Sequence, residues 1–379
     1  MYTFDAKLGK IKLMKRLLIF IFFIQSLNLF AQSYFLPDTI FVKKVEACID
    51  SIYDYNFDYV DDVYAELNRK YPHHPFPDLF YSTNLYWKYF PITPGSSTEL
   101  IYLEKLNSAI DKAEQLLEKN EDKAESIFFH LMSRLLIMQY YADNSLSSKV
   151  ITHLGPAYKM VTKGFELTKD LSDFNFSTGV YNYYREYYPK VHPAYKPFAY
   201  FFPNGDAQLG LRQLEYNWRH GTFLHYESLF FLVYINLYFE EDYRKAYRYI
   251  KQLEKDFPNN LLYISYNVQT LLLLKKYNKV DDLITKLENN PHENDFFKTT
   301  AKLYRGIISE KKDKDFVKAE KYYIQALNQF EKYGDFANSY SSVAYFGLSR
   351  IYNTTDKKVA RKYQKRALEL AVYPHINFN

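Results

Sequence analysis

Residues 227–258 read ESLFFLVYINLYFEEDYRKAYRYIKQLEKDFP, and this stretch determines the fold. Positions 229–239 are apolar except for Asn236, a pattern that predicts a helix buried on several sides. The positions that follow carry apolar and aromatic side chains at the i, i+3, i+4, i+7 spacing that gives a helix one buried face. These residues are Tyr243, Ala246, Tyr247, Ile250, Leu253 and Phe257. The stretch therefore predicts two helices packed back to back.

The ends of the second helix can also be predicted from the sequence. Asp242 precedes its first aromatic residue and suits an N-cap, because its carboxylate accepts a hydrogen bond from a free amide of the first turn. Pro258 ends the helix, since proline has no amide hydrogen for the i to i−4 ladder. Tyr277 lies 34 residues after Tyr243, where a similar pattern begins again. The chain is therefore predicted to be all-α, an α-solenoid of antiparallel helix pairs.

Further units of this kind can be aligned between residues 223 and 373. Their shared positions are Tyr243, Ala246, Ile250, Leu253 and Pro258; Tyr277, Val280, Ile284, Leu287 and Pro291; Gly306, Phe316, Ala319, Tyr323 and Ala326; and Gly347, Ala360, Tyr363 and Ala367. This region resembles the tetratricopeptide repeat (TPR) family, whose unit of about 34 residues has small side chains where paired helices cross and a proline near its end. Helix axes approach closely only where a side chain is small. The resemblance implies that the repeats pack through Ala246, Pro258, Val280, Gly306, Ala319, Ala326, Gly347, Ala360 and Ala367.

The repeats depart from the family pattern in three places. Tyr234 stands where the first helix of the best unit would carry glycine, and Val280 stands where the second unit would carry alanine. The spacing from Ala319 to Ala360 is 41 residues rather than 34. The resemblance is therefore to a divergent member of the family, of an exported bacterial envelope type, and the earlier half of the chain shares only the general helical pattern.

The chain divides into parts by its periodicity and its turn residues. Residues 32–171 show helical periodicity and are predicted to form N-terminal helical repeats, and residues 223–379 form the TPR-like repeats. Between them, 172–222 is expected to be an irregular, aromatic insertion without a long helix, because proline and glycine interrupt it. These interrupting residues are Pro189, Pro193, Pro197, Pro203, Gly205 and Gly210.

Residues 1–31 have the layout of a secretory signal peptide. Lys15 and Arg16 precede an apolar run at 17–24, and a weaker stretch leads to Ala31. We expect cleavage after Ala31, with Met14 as an alternative translation start. An uncleaved membrane anchor is the other interpretation, which the short run disfavours because a span needs about 20 apolar residues. The expected location is exported: periplasmic, associated with the outer membrane, or secreted.

The composition argues against a nucleic-acid partner. The formal net charge is +5, but residues 1–31 hold five Lys or Arg and one acidic residue, so that about +1 remains for the rest of the chain. Membrane contact is expected only through the leader, if it stays uncleaved. Cys48 is the single cysteine, so it cannot form an internal disulfide and is expected to be a small buried side chain.

The sequence carries no convincing motif for catalysis, a cofactor or a metal. His73 with His74, and His220 with His225, lack the three- or four-residue spacing of metal ligands on one helix face. We therefore expect surface histidines at these positions. The protein is expected to be non-enzymatic, with no cofactor and no metal.

The aromatic part of 172–222 is the feature with functional promise. Tyrosines offer flat faces with polar tips, which suit a protein interface or a sugar ring. Packing of the insertion onto the repeats is the favoured interpretation of these side chains, and partner binding is the other. The residues concerned are Tyr181, Tyr184, Arg185, Tyr187 and Tyr188.

The function we expect is that of an exported scaffold whose stacked helix pairs curve into a groove for a protein or peptide partner. Glu227, Tyr234 and Tyr238, at the rim of a first helix, are further candidates for partner contact. The alternative is a helical hydrolase acting on glycans, or a carbohydrate-binding protein, that uses the 172–222 segment. A deep acidic pocket near that segment would favour the alternative.

Overall fold

The computed structural model describes residues 35–36, 38–119, 123–191 and 193–379. The predicted leader, residues 1–31, lies outside the described residues. Helices and turns make up the described ranges, none of which contains a strand. The helices are α1 (Thr39–Tyr53), α2 (Val60–Lys70), α3 (Phe76–Lys88), α4 (Ser97–Glu118), α5 (Lys123–Asp143), α6 (Ser147–Leu167), α7 (Phe174–Val191), α8 (Lys196–Ala199), α9 (Ala207–His220), α10 (His225–Tyr238), α11 (Tyr243–Asp256), α12 (Leu261–Leu273), α13 (Asp281–Glu288), α14 (Asp295–Ile308), α15 (Phe316–Phe330), α16 (Asn338–Tyr352) and α17 (Lys357–Leu370).

Helices that follow each other in the chain pack side by side, and the short turns between them make the partners antiparallel. We call α3, α5, α7, α10, α12, α14 and α16 the inner helices. Their outer partners are α4, α6, α9, α11, α13, α15 and α17, and each inner helix packs on its own partner. This arrangement confirms the predicted α-solenoid of helix pairs.

The inner helices also touch one another and form a continuous layer. The pairs that join successive inner helices are Phe76–Phe129 (4.9 Å between ring centroids), Phe128–Phe174 (5.7 Å), Phe176–Phe231 (5.1 Å), Phe230–Tyr266 (4.9 Å), Ser265–Tyr304 (3.0 Å between hydroxyl oxygens) and Phe296–Tyr340 (5.1 Å). An aromatic pair of this geometry stabilises the fold by about 0.5–1.5 kcal/mol beyond the effect of burying its surface area. Aromatic packing therefore holds the inner layer together.

The solenoid closes on itself through two asparagines. Asn260 caps α12, and its side-chain amide also donates to the Tyr53 carbonyl at the end of α1 (2.6 Å). Asn294 caps α14 and donates to the Phe90 carbonyl just after α3 (2.7 Å). The bonded residues are 207 and 204 positions apart in the chain. Two ring pairs follow the same path, Trp87–Tyr263 (5.7 Å) and Phe90–Phe297 (5.6 Å).

The residues expected to pack the repeats lie inside the array, apart from one proline. Ala246, Val280, Ala319, Ala326 and Ala367 have no exposed surface, and Ala360 is 4% exposed. Gly306 and Gly347 face the two edges of the Tyr323 ring, where an added Cβ would come within 2.8 and 2.3 Å of ring atoms. Pro258 is exposed and lies just beyond the end of α11 at Asp256. Glycine at positions 306 and 347 therefore lets the Tyr323 ring fill the space between α14, α15 and α16.

The expectation that residues 172–222 contain no long helix is wrong. Helices α7 and α9 pack against each other there, and the irregular chain is confined to the linker between them. Pro189 is tolerated because it lies in the last turn of α7, where its missing amide removes one hydrogen bond only. Gly210, expected in a turn, lies within α9, and a Cβ there would come within 2.7 Å of the Gly179 carbonyl oxygen on α7. The two glycines allow a close helix crossing.

The 34-residue spacing of the repeats is interrupted at two places. Helix α13 starts only at Asp281, after the 3₁₀ turn Tyr277–Lys279, and has 8 residues, so the second unit is shorter than its pattern predicts. The 41-residue step further along contains the 3₁₀ segment Glu331–Ala337, whose 7 residues account for the excess over 34. Gly334 in this segment has a φ of 54°, a left-handed conformation that glycine adopts without a steric cost.

His74 is buried, contrary to the expectation of a surface histidine, while its neighbour His73 is exposed. The ring Nδ1 accepts a hydrogen bond from the Phe76 amide (3.1 Å), and Nε2 lies 3.2 Å from Oε1 of the buried Glu125. Free amides in the first turn of a helix need a partner, and the N-cap residue Pro75 has no side-chain acceptor. The imidazole therefore takes the role of a cap at the start of α3.

We expect Gly210→Ala to destabilise the fold by about 1–3 kcal/mol, because the added Cβ meets backbone atoms of α7 that cannot move aside. The matched control is Gly155→Ala in α6, where nothing lies within 4 Å of the added carbon. Replacing a helical glycine with alanine in open space should leave stability unchanged or raise it by about 0.5–1 kcal/mol. Urea unfolding of the two variants measures the difference, and equal free energies of unfolding would contradict the glycine crossing.

We expect Asn260→Ser to lower the free energy of unfolding by about 1–3 kcal/mol. Serine keeps the N-cap of α12 but is too short to reach the Tyr53 carbonyl. That carbonyl then loses the hydrogen bond that it accepts from the buried Asn260 side chain. The control is Asp356→Ser at the exposed N-cap of α17, where the same cap exchange should cost less than about 0.5 kcal/mol. Similar losses in both variants would show that Asn260 acts only as a cap.

Candidate functional site

Several inner helices carry half-buried polar side chains among fully buried ones. On α10, Tyr234 and Tyr238 lie one turn apart and are half-buried, whereas Val233, Ile235 and Leu237 beside them have no exposed surface. A helix that packs on its neighbours and on an outer partner keeps only its side toward the interior of the solenoid free. The half-buried polar side chains concerned are Tyr86 on α3, Gln139 and Asp143 on α5, Tyr184 and Tyr188 on α7, Tyr234 and Tyr238 on α10, Tyr266 on α12 and Tyr340 on α16. We call this set the inner surface.

Side-chain contacts join the inner surface across helices. The Gln139 side-chain amide donates to the Tyr86 hydroxyl (2.9 Å), which links α5 to α3. The Tyr238 hydroxyl donates to Gln269 Oε1 (3.1 Å), and the Tyr238 ring lies 6.3 Å from that of Tyr266, which links α10 to α12. Burial raises the pKa of Tyr238 to about 12. The hydroxyl is therefore protonated at neutral pH and keeps its hydrogen bond to Gln269.

Asp143 is the carboxylate of the inner surface. It is the last residue of α5, is half-buried, and makes no hydrogen bond or ion pair with a side chain in the part of the chain that the structure describes. Burial raises the pKa of its carboxyl to about 7. Burial also raises the pKa of Tyr188, Tyr340 and Tyr373, and the charge of Asp143 adds to each of these shifts. An uncompensated carboxylate among aromatic rings suits a cationic or hydrogen-bond-donating ligand.

The 371–379 segment, which follows α17, lies on the inner surface. The Tyr373 ring packs 4.6 Å from Tyr238 and 6.2 Å from Tyr234, and the Tyr373 and Tyr234 hydroxyls are 3.0 Å apart. Further along, His375 Nε2 lies 3.4 Å from the Leu237 carbonyl oxygen. The segment therefore crosses from the end of the array to α10.

Arg350 on α16 holds the far end of this segment. Its Nη1 donates to the Asn377 carbonyl (2.6 Å), while Nε and Nη2 donate to the two carboxylate oxygens of Glu310 (2.6 and 2.8 Å). The Tyr323 hydroxyl donates to the same carboxylate (2.7 Å). Burial opposes the charge of Glu310, but the hydrogen bonds from Arg350 outweigh it and lower the pKa of Glu310. The segment is thus tied to the core of the last repeats.

The structure brings together four of the residues predicted to contact a partner. Tyr184 and Tyr188 have ring centroids 5.7 Å apart on α7, and Tyr234 and Tyr238 are 4.5 Å apart on α10. The Phe239 ring lies 5.3 Å from Tyr184 and 6.4 Å from Tyr234, and so joins the two pairs. These tyrosines form the centre of the inner surface.

The other predicted residues of the aromatic segment pack within it. Tyr181 donates to a carbonyl of the linker before α9 (2.7 Å), and Arg185 donates twice to the Phe202 carbonyl (2.9 and 3.2 Å). Tyr187 stacks on the buried Tyr183 with ring centroids 5.0 Å apart. Tyr181, Arg185 and Tyr187 therefore hold the linker and α7 in place.

Glu227 lies apart from these tyrosines, beside an acidic cleft between α1 and the turn before α10. The cleft has a volume of about 250 Å³, and its lining includes Glu46, Asp50 and His225. Burial raises the pKa of Glu46 and Asp50. Oε2 of Glu227 is buried without a hydrogen-bond partner among the described residues, and burial, with a contribution from Asp50, raises its pKa to about 8. The cleft also borders the end of the 172–222 segment.

Sequence reasoning missed several residues of this region. They are Tyr86, Asp143, Tyr266, Tyr340 and Tyr373. A usable signal exists for Tyr266, which is a polar-tipped ring within the apolar sequence of α12, as Tyr234 is within α10. No local signal identifies Asp143 or Tyr373, because their surroundings come from helices distant in sequence.

No protein-family model matches this chain, and no curated protein matches it at a significant level. Among the described residues, no helix combines the length and apolar character needed to span a bilayer. The same residues contain no group of three or more His, Cys, Asp or Glu arranged to hold a metal ion. Cys48 is buried, and burial raises the pKa of its thiol to about 11, so little reactive thiolate exists at neutral pH. The inner surface and the acidic cleft are the two candidate sites on the described residues.

We expect Asp143→Asn to stabilise the protein at pH 8. The folded pKa of about 7 exceeds the ordinary value of 3.8, so the folded state binds more protons and stability falls as the pH rises through this window. Asparagine has no ionisable carboxyl group, so the variant does not lose stability as the pH rises through this window. The free energy of unfolding in urea should exceed that of the wild type by about 1–3 kcal/mol at pH 8, with the difference closing near pH 4.

Asp78→Asn is the control of opposite sign. Burial opposes the charge of Asp78, but hydrogen bonds from Lys112 (2.8 Å), Ser108 (2.8 Å) and Lys105 (3.1 Å) lower the pKa of its carboxyl. Its contribution to stability is present above its unfolded pKa and is lost as the pH falls through the folded pKa. Asp78→Asn should therefore destabilise the protein at pH 8. A loss at pH 8 in both variants would contradict the unpaired environment of Asp143.

Proposed function

We propose that the protein is a non-enzymatic scaffold that binds an extended segment of a partner protein on its inner surface. The observation that carries the proposal is the set of half-buried tyrosines from five inner helices that face one interior. Tyrosine combines a large flat contact area with a hydroxyl group and loses little rotamer entropy on binding. A solenoid can offer such a surface because each repeat needs contacts only with its neighbours.

The comparison with core tyrosines supports a role beyond packing. Tyr323 and Tyr183 have no exposed surface, and their hydroxyls donate to the carboxylates of Glu310 (2.7 Å) and Glu240 (2.5 Å). The inner-surface tyrosines keep part of their rings accessible, and Tyr86, Tyr188 and Tyr340 lie within electrostatic range of a carboxylate that has no counter-ion among the described side chains. Such a surface offers accessible ring area and a carboxylate, to which a partner segment would add apolar contact and a hydrogen bond.

The proposal extends to the family and the cellular setting. The 34-residue step between outer-helix patterns, with small residues at the crossings, supports a divergent TPR protein. The composition of residues 1–31 supports export and hence a partner in the cell envelope. A nucleic-acid partner is not proposed, because the charge beyond the leader is close to balanced.

A glycan-acting hydrolase or carbohydrate-binding protein is the second candidate, and the acidic cleft is the observation that favours it. Glu46 and Asp50 lie one turn apart on α1, and acid–base work on a glycosidic bond needs two carboxyl groups of unequal protonation. Against it, Tyr181 and Tyr187 of the aromatic segment are used in internal packing. Glycan turnover that is lost in both Glu46→Gln and Asp50→Asn would favour this candidate over the scaffold.

The scaffold is tested by partner recovery from cells that express the full chain. We expect the double substitution Tyr188→Ala and Tyr266→Ala to reduce recovery of the cross-linked partner by about tenfold or more, because an interface tyrosine that acts as a hot spot contributes about 2 kcal/mol or more. Quantitative mass spectrometry of the cross-linked partner measures the change.

The matched control is Tyr322→Ala with Tyr363→Ala, two half-buried tyrosines on the outer helices α15 and α17. Each double variant removes two half-buried rings, and thermal melting of each measures the loss of packing so that recovery is compared where both are folded. Recovery should fall only in the inner-surface variant. Equal recovery in the two variants would refute binding at the inner surface.

A further inference from the structure

We propose that the 371–379 segment is an intramolecular ligand of the inner surface, and that the partner supplies an extended peptide with an aromatic side chain and no acidic residues, which takes the place of this segment. The inference rests on the proposed function, because it assigns the ligand chemistry of the same surface. The partner peptide is defined by what the segment itself uses to bind: one ring, main-chain carbonyl groups and apolar side chains.

The ring of the segment occupies a slot formed by one helix. Tyr373 lies 4.6 Å from Tyr238, 5.7 Å from Phe239 and 6.2 Å from Tyr234, measured between ring centroids. Tyr234 and Tyr238 are one helical turn apart, so the Tyr373 ring contacts two successive turns of α10. The Tyr234 hydroxyl, 3.0 Å from that of Tyr373, gives the slot a polar end. The slot therefore fits tyrosine best and accepts phenylalanine without this hydrogen bond.

One polar contact of the segment uses its backbone oxygen, which any peptide carries, and another uses the side chain of its His375. Arg350 donates to the Asn377 carbonyl (2.6 Å), and its guanidinium is already fixed by two hydrogen bonds to Glu310. His375 of the segment lies 3.4 Å from the Leu237 carbonyl oxygen near the end of α10. A donor that is held in place before binding loses little entropy when it meets a peptide carbonyl.

The segment behaves as an added ligand rather than as part of a repeat. It has no helix, and it contacts α10 across 138 and 139 positions of sequence. A segment without regular secondary structure can open locally without unfolding the repeats, so a partner can displace it. While it is attached, its effective concentration at the slot is on the order of millimolar, which weakens the apparent affinity of any competitor. The buried apolar side chains that it contributes are Ile376 and Phe378.

The charges around the segment select against acidic peptides. Residues 371–379, AVYPHINFN, contain no Asp, Glu, Lys or Arg. Asp143 acts electrostatically on Tyr373, and Glu241 Oε1 lies 4.0 Å from His375 Nδ1. Like charges brought together in an interface suppress the wrong partner, whereas opposite charges favour binding. A neutral or basic aromatic peptide is therefore the expected occupant.

A fluorescent peptide with the sequence of residues 372–379 tests the inference by anisotropy titration into the full-length chain. The tethered segment competes with the peptide, so we expect the Tyr373→Ala chain to bind it about tenfold or more tightly than the wild type. Tyr373→Phe, which keeps the ring and loses only the hydroxyl contact, should bind it about twofold to fivefold more tightly. This mild variant keeps the test decisive if Tyr373→Ala does not fold.

Control peptides and a second substitution define the slot. With the Tyr373→Ala chain, a peptide whose tyrosine is replaced by alanine, or whose histidine is replaced by glutamate, should bind about tenfold or more weakly. Adding Tyr238→Ala to Tyr373→Ala should remove the gain in affinity, because it removes one wall of the slot.

Equal affinity of the wild type, Tyr373→Phe and Tyr373→Ala for the peptide overturns the inference. A concentration-dependent wild-type dimer that Tyr373→Ala abolishes also overturns it, since the segment would then serve a second copy of the chain. If either of these results occurs while the Tyr188→Ala and Tyr266→Ala double variant still loses its partner, the scaffold function is supported and only the inference is wrong. Peptide binding that follows the expected order, with partner recovery unchanged in that double variant, supports the intramolecular contact and refutes the scaffold function.

Discussion

Two helix-capping asparagines, Asn260 and Asn294, bridge the array where it closes on itself. Each asparagine uses its oxygen to cap a helix and its nitrogen to bind a carbonyl more than two hundred residues earlier. A net hydrogen bond contributes only about 1 kcal/mol, but a buried carbonyl left without a partner costs about 1–3 kcal/mol. The aromatic pairs nearby supply the free energy of closure, and the asparagines fix its register. Closure in turn gives the inner helices a shared interior.

A second polar network connects the repeat core to the inner surface. Gly306 and Gly347 admit the Tyr323 ring, whose hydroxyl reaches Glu310, and Glu310 orients the guanidinium of Arg350. A buried ion pair is tolerated only when further hydrogen bonds satisfy its remaining atoms. The tyrosine hydroxyl and the backbone carbonyl of the 371–379 segment do so here. The packing of the last repeats therefore fixes the guanidinium that binds the Asn377 carbonyl of the 371–379 segment.

The sequence predicted the fold class because repeat packing is local. The apolar stripe of α11, its Asp242 cap and the stop before Pro258 are set by residues within a few turns of each other. The helices of 172–222 were missed, since proline and glycine usually mark turns, whereas Pro189 lies at a helix end and Gly210 at a helix crossing. Proline and glycine can therefore either interrupt a helix or be accommodated within one, and only contacts with the neighbouring helix distinguish the two cases.

The candidate site was predicted in part for the same reason. Tyr234 and Tyr238 stand out locally, because they place two polar-tipped rings one turn apart within the mostly apolar sequence of α10. Asp143 and Tyr373 could not be found this way. Asp143 ends a helix with ordinary polarity, and its carboxylate meets Tyr188, Tyr340 and Tyr373 only because closure brings α7, α16 and the final segment around it. Ionisation of this carboxylate is costly without a cation or a donor nearby. A cation or a hydrogen-bond donor placed beside it would recover that free energy.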